Sequence, residues 1–112
     1  MRFETTVQGT VVVLRVDGVL AEEHLTNFAE QLEQRVSNGQ PRIVIDMSAA
    51  IALDSATMEL LLDVQDACLR RGGAVKLVGV HGLCREIMEI NEVDRLFESF
   101  PSQVAAIGSF AT

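Results

Sequence analysis

The thirty-nine residues around the middle of the chain, "IVIDMSAAIALDSATMELLLDVQDACLRRGGAVKLVGV" at 43–80 with Arg42 before them, decide the fold. "RIVIDM" at 42–47 is a short strand with a nearly continuous apolar core, the pattern of a central parallel strand. The spacing then changes from a strand's to a helix's. From about Ser55 to Arg71, Leu61, Val64 and Cys68 make an inner stripe flanked by Leu60 and Ala67, while Glu59, Asp63, Asp66 and Arg70 make the wet face. Asp66 and Arg70 form an i,i+4 pair, and Arg70-Arg71 complements the negative end of the helix dipole. Gly72-Gly73 ends the helix, and "AVKLVGV" at 74–80 returns as a second strand. Strand, helix and strand in this order make a parallel crossover unit.

Outward from this unit the alternation continues. Phe3 to Val7 is a short strand followed by the turn pair Gln8-Gly9, and Thr10 to Val16 is a β-branched, more buried strand that Asp17-Gly18 closes. From about Glu22 to Ser37, Leu25, Phe28, Ala29, Leu32 and Val36 follow helical spacing; Asn38-Gly39 stops that helix and Pro41 forbids its continuation. Downstream, a helix is expected around Leu83 to Glu89 with Leu83, Ile87 and Met88 or Ile90 turned inward. Residues 96–100 read as a last short strand, and Pro101 to about Phe110 as a terminal helix. The expectation is one α/β domain over 1–112, a mixed sheet of about five strands with four helices.

Composition limits function. Nine Lys+Arg stand against sixteen Asp+Glu, a net charge of −7, and the only adjacent basic pair is Arg70-Arg71. Nucleic acid and anionic membranes need basic clusters, so neither is expected as the main partner. The apolar runs are short and interrupted by charges, and the first residues lack a secretory apolar core, so no membrane insertion and a cytoplasmic location are expected. Cys68 and Cys84 lie in apolar-periodic segments, as buried free thiols do in a reducing compartment.

The catalytic inventory is thin. His81 and Cys84 are spaced i,i+3, but one such pair cannot complete a zinc site, and neither a glycine-rich phosphate loop nor a nucleophile elbow is present. No metal, no cofactor and no enzymatic activity are expected. What remains is the junction Asp54-Ser55, where a loop becomes a helix. Its plain reading is an N-cap, although neither Thr57 nor Met58 supplies the glutamate of a full capping box. Its second reading is a switch. A phosphate on a helix-opening serine faces the positive end of the dipole and adds about −1.5 to −2 charges to an already acidic surface.

The element order, with the turn "VDGVLA" at 16–21, Asp46, Asp54-Ser55, Gly72-Gly73 and the "LVGV" strand, resembles a STAS domain of the bacterial anti-sigma factor antagonist type over nearly the whole chain. The resemblance implies a regulator of transcription that binds an anti-sigma factor serine kinase, is switched off by phosphorylation and is reset by a serine phosphatase. It implies Ser55 as phosphoacceptor, with Thr57 second, and a docking surface of Asp54, Ala56, Thr57, Met58, Glu59 and Glu22, with Ser48 on the preceding loop. Two departures stand out: Ala56-Thr57 replaces Ser-Gly, and Ala21 follows Gly18-Val19-Leu20 where an acidic residue is common, with Glu22 one step later. The alternative is a STAS interaction module that does not switch, held in a larger signalling or transporter assembly. A third class, a nucleotide-binding STAS domain, lacks a phosphate-cradling loop.

Overall fold

A computed structural model describes residues 2–36 and 39–111. The elements, in chain order, are β1 (Arg2–Gln8), β2 (Val11–Leu20), a 3-10 turn (Glu22–His24), α1 (Leu25–Val36), β3 (Arg42–Leu53), α2 (Ser55–Arg70), β4 (Ala74–Val78), α3 (Gly82–Ile90), a second 3-10 turn (Asp94–Leu96), β5 (Glu98–Phe100) and α4 (Gln103–Ser109). The five strands lie in sequence order, with β1 antiparallel to β2 and all later neighbours parallel. This is the expected mixed sheet with four helices. The proposed stop at Asn38 and the helix end at Ser37 lie outside the described residues.

Helices α1, α2 and α3 follow successive parallel crossovers, and all three cover one face of the sheet. Phe28, Leu32, Leu61, Val64, Cys68 and Met88 bury there against Leu14, Val16, Ile43, Ile45, Val75 and Leu77. Phe3 joins this face by stacking on Phe28, with ring centroids 5.3 Å apart. The opposite face carries a smaller cluster of Val11, Val13, Val44 and Val78, covered by Ala106 of α4 with Ile107 and Phe110 beside it. Two buried polar groups bind α4 down. The Gln103 amide donates to Asp46 Oδ2 at 2.6 Å, and the Lys76 ammonium donates to Ser109 Oγ at 2.7 Å beneath the Phe110 ring.

Several expectations are corrected. β3 is a strand of 12 residues rather than the six of "RIVIDM", and β2 runs through Asp17-Gly18 instead of turning there. The reason is mutual pairing. Beyond the Asp46–Val78 pair β4 ends, but β2 and β3 continue together as a two-stranded ribbon to the Leu20–Leu53 pair. Two register shifts, between Arg15/Asp17 and Gly18/Val19, each place one extra residue on β3, and Gly18 takes φ 102° there. β4 stops at Val78 because Gly79 turns to φ 66° against Ser48.

In α3 the buried positions are Cys84 and Met88, spaced i,i+4, while Leu83 and Ile90 are exposed. Starting the helix at Gly82 swings Leu83 outward. Part of the 96–100 strand is taken by the second 3-10 turn, and α4 begins at Gln103 with the Ser102 hydroxyl accepting from the Ala105 N–H at 3.2 Å.

At the end of α2 the expected glycine stop is a Schellman motif: Gly73 N–H bonds Cys68 O at 2.9 Å and Gly72 N–H bonds Leu69 O at 3.1 Å. The Asp66–Arg70 pair forms at 3.1 Å. Gln65, inside the same helix, reaches across the core face to accept from Val75 N–H at 2.7 Å and donate to Leu96 O at 2.9 Å, tying α2 to the β4 edge.

Candidate functional site

The ribbon of β2 and β3 delivers two chain segments to one place, the start of α2. Asp54 is the N-cap of that helix, with extended backbone, and its N–H bonds Leu20 O at 3.1 Å. Its carboxylate is shared between the two segments. Oδ1 accepts from Thr57 N–H at 2.9 Å and from the Thr57 hydroxyl at 2.7 Å, while Oδ2 accepts from Glu22 N–H at 2.8 Å. The aspartate is therefore a cap and also a staple across 32 residues of sequence. Burial works against its ionisation, but the Thr57 N–H, the Thr57 hydroxyl and the Glu22 N–H outweigh it and hold the carboxyl below the usual carboxylate range.

Ser55, the first residue of α2, is exposed, and so are Glu59 and Glu22; Ala56 is half-buried. Thr57 and Met58 are not surface residues. Thr57 is 1% exposed, and its hydroxyl also lies 3.2 Å from Leu20 O. As a phosphoacceptor or a docking residue it would first have to give up these bonds and leave the core, so the structure removes it from both roles. Met58 is buried in the main apolar cluster and contributes packing beneath the site. Helix geometry explains both: the residues three and four positions after the cap turn under the first turn, toward the sheet.

Ser48 was expected on a loop and instead occupies the bulged part of β3. It belongs to a second cluster. Its N–H and hydroxyl both bond Asp46 Oδ1, at 2.9 and 2.7 Å, and its carbonyl lies 2.9 Å from His81 Nε2. Burial opposes ionisation of Asp46, yet the Gln103 amide, the two Ser48 donors and the charge of Arg15 hold its carboxyl low. Sequence reasoning missed this cluster because its members come from β3, the segment after β4, and α4. It also missed Val19 and Ile51, 46% and 63% exposed, which place apolar side chains on the ribbon that leads to Asp54.

Among the described residues, His81 and Cys84 are not brought together as a pair. His81 is exposed while Cys84 is fully buried, and among the described residues no group of three metal-ligating side chains comes together. Burial pushes the Cys68 thiol up to about 11 and the Cys84 thiol upward as well, which makes both poor nucleophiles. No described helix is long and apolar enough to cross a membrane.

Comparison with known proteins agrees with the architecture. A search of curated protein sequences found no match. Among solved structures, an anti-sigma factor antagonist from Mycobacterium paratuberculosis superimposes with a TM-score of 0.87 at 19% identity, covering 99% of this chain and 94% of that one. The anti-sigma factor antagonist SpoIIAA in its unphosphorylated form gives 0.84 at 16% identity, covering 98% and 96%. A sulfate transporter family protein from Wolinella succinogenes gives 0.70 at 18% identity, covering 93% and 87%. At these identities the likeness is one of fold. The family profile described as "Mlab, STAS domain" matches residues 3–98, most of the chain, and the protein belongs to that STAS family.

Proposed function

We propose that this protein is an anti-sigma factor antagonist-like regulator in the cytoplasm, binding an anti-sigma factor serine kinase and losing that partner when Ser55 is phosphorylated. A serine phosphatase resets it, and the protein performs no chemistry of its own. The observation that carries this reading is the placement of Ser55. It is exposed at the first position of a helix whose cap is already occupied by Asp54, so its hydroxyl is not needed for the fold. The phosphate would stand beside an Asp54 carboxylate that three donors hold in place and keep ionised. It adds about −1.5 to −2 charges to a surface that already has Glu22 and Glu59 exposed. Repulsion of an acidic partner surface follows without refolding, while Val19 and Ile51 supply apolar contact area nearby.

Intact and peptide mass after incubation with ATP and an extract of the protein's own cells tests the reading. The expected result is a phosphate on Ser55, with partner binding kept by Ser55→Ala and lost by Ser55→Asp. Equal binding by both variants, or no phosphate with the cognate kinase active, would overturn it.

A second reading is favoured by the likeness to a sulfate transporter family protein: an interaction module within a transporter or signalling assembly that does not switch. Thr57, in place of the family's glycine, is buried with its hydroxyl locked to Asp54, so the first turn of α2 is fixed independently of Ser55. A stable partner indifferent to both Ser55 variants selects this reading.

A further inference from the structure

Between α1 and α2, on the helical face away from the sheet, runs an open groove of about 290 Å³. Val36, Leu60, Val64 and Ala67 give it an apolar lining, and Glu33 and Asp63 stand at it as exposed carboxylates. Arg71 marks one end. The volume is at the bottom of the range for small-molecule sites, and the groove is open, which suits a few inserted side chains better than an enclosed cofactor. The surrounding charge selects the occupant. Residues 22–36 and 55–71 carry seven carboxylates against three arginines, and the Arg70–Asp66 pair at 3.1 Å leaves six against two.

We propose that this groove docks a basic amphipathic helix of a partner protein, its aliphatic residues entering between Val36 and Leu60 and its lysines or arginines meeting Glu33 and Asp63. A second copy of the chain would bring the same carboxylates face to face, and phosphate-bearing nucleic acid or lipid would be repelled, so charge complementarity points to a cationic polypeptide. The groove is distinct from the Ser55 surface but continuous with it along α2, because Leu60 and Ala67 follow Ala56 on the same half-buried side. A partner seated here stays attached whatever the state of Ser55.

The test is titration of the isotope-labelled protein with a synthetic helix carrying leucine on one face and lysine on the other, followed by amide NMR shifts and fluorescence anisotropy. The expected result is saturable binding with shifts confined to the segments around Glu33–Val36 and Leu60–Ala67. Affinity should fall at least about tenfold in the exposed pair Glu33→Lys/Asp63→Lys and should be unchanged in Ser55→Asp. The counterpart helix with glutamate for lysine should not bind. Shifts spread over other acidic residues such as Glu86 and Glu89 would mean charge attraction without a groove. That result, full affinity in the double variant, dimerisation through this face, or no saturable binding would each overturn the proposal. Loss of binding in Ser55→Asp would merge the groove with the switch surface and overturn it as a separate site.

Discussion

The two faces of the sheet are built on different physics. Under α1, α2 and α3 the contact is broad and apolar, and the buried Gln65 side chain within it is satisfied at both ends. Under α4 the apolar cluster is small, and the helix is fastened at its two ends by Asp46–Gln103 and Lys76–Ser109. Burial of area is tolerant of small displacements, whereas hydrogen bonds to a buried charge are directional and lost whole. The first face therefore sets global stability, and the second sets how firmly one short helix stays in place.

The largest effect should come from the broad face. Leu61→Ala removes a side chain that is 1% exposed, and a loss of about 2–5 kcal/mol in denaturant unfolding is expected. A loss below 1 kcal/mol would erase the contrast. Next, Gln103→Ala leaves Asp46 Oδ2 without its donor at a residue only 6% exposed, for a cost of about 1–3 kcal/mol. Native-state hydrogen exchange should show faster exchange concentrated in α4, with α1 and α2 following only the global change.

Acid sharpens the comparison further. Asp46 and Asp54 both have carboxyl groups held below their unfolded value of 3.8, so their contribution is complete above that pH and is lost as pH falls through the lower folded values. Stability should be nearly level from neutrality to about pH 5 and fall below about pH 4. Asp46→Asn should flatten the fall that α4 reports, and Asp54→Asn the one at the start of α2. The smallest effects are expected at the start of α2. Asp54→Ala should cost about 1 kcal/mol through the lost cap, whereas Ser55→Ala should stay within about 0.5 kcal/mol, since Ser55 is exposed and Asp54 supplies the cap.

Much of this organisation was legible in the residues. The inner stripe of α2, its Gly72-Gly73 stop, the Asp66–Arg70 pair and the cap at Asp54 are local features, and local spacing reports them faithfully. The alanine-rich tail of β3 was read as a loop because alanine has little intrinsic strand preference; pairing with β2 across the bulges makes it a strand. Thr57 was misplaced for a related reason. Its burial depends on Leu20 arriving beside it, a contact 37 residues away in sequence. The Asp46–Ser48–Gln103 cluster likewise exists only once α4 has crossed the sheet.

Helix α2 is anchored at both ends. Asp54 ties its first turn to Glu22, and behind its last turn Gly73 lies so close to Pro41 that an added Cβ would meet the Pro41 carbonyl oxygen at 1.9 Å. A rod held this way is tied to its neighbours at both termini. Any message written at its tip must be read from outside, by a partner sensing altered charge, and not from within, by a rearranged interior. Core methyl resonances and thermal unfolding should then differ little between the unchanged protein and Ser55→Asp, while electrophoretic mobility should register the added charge.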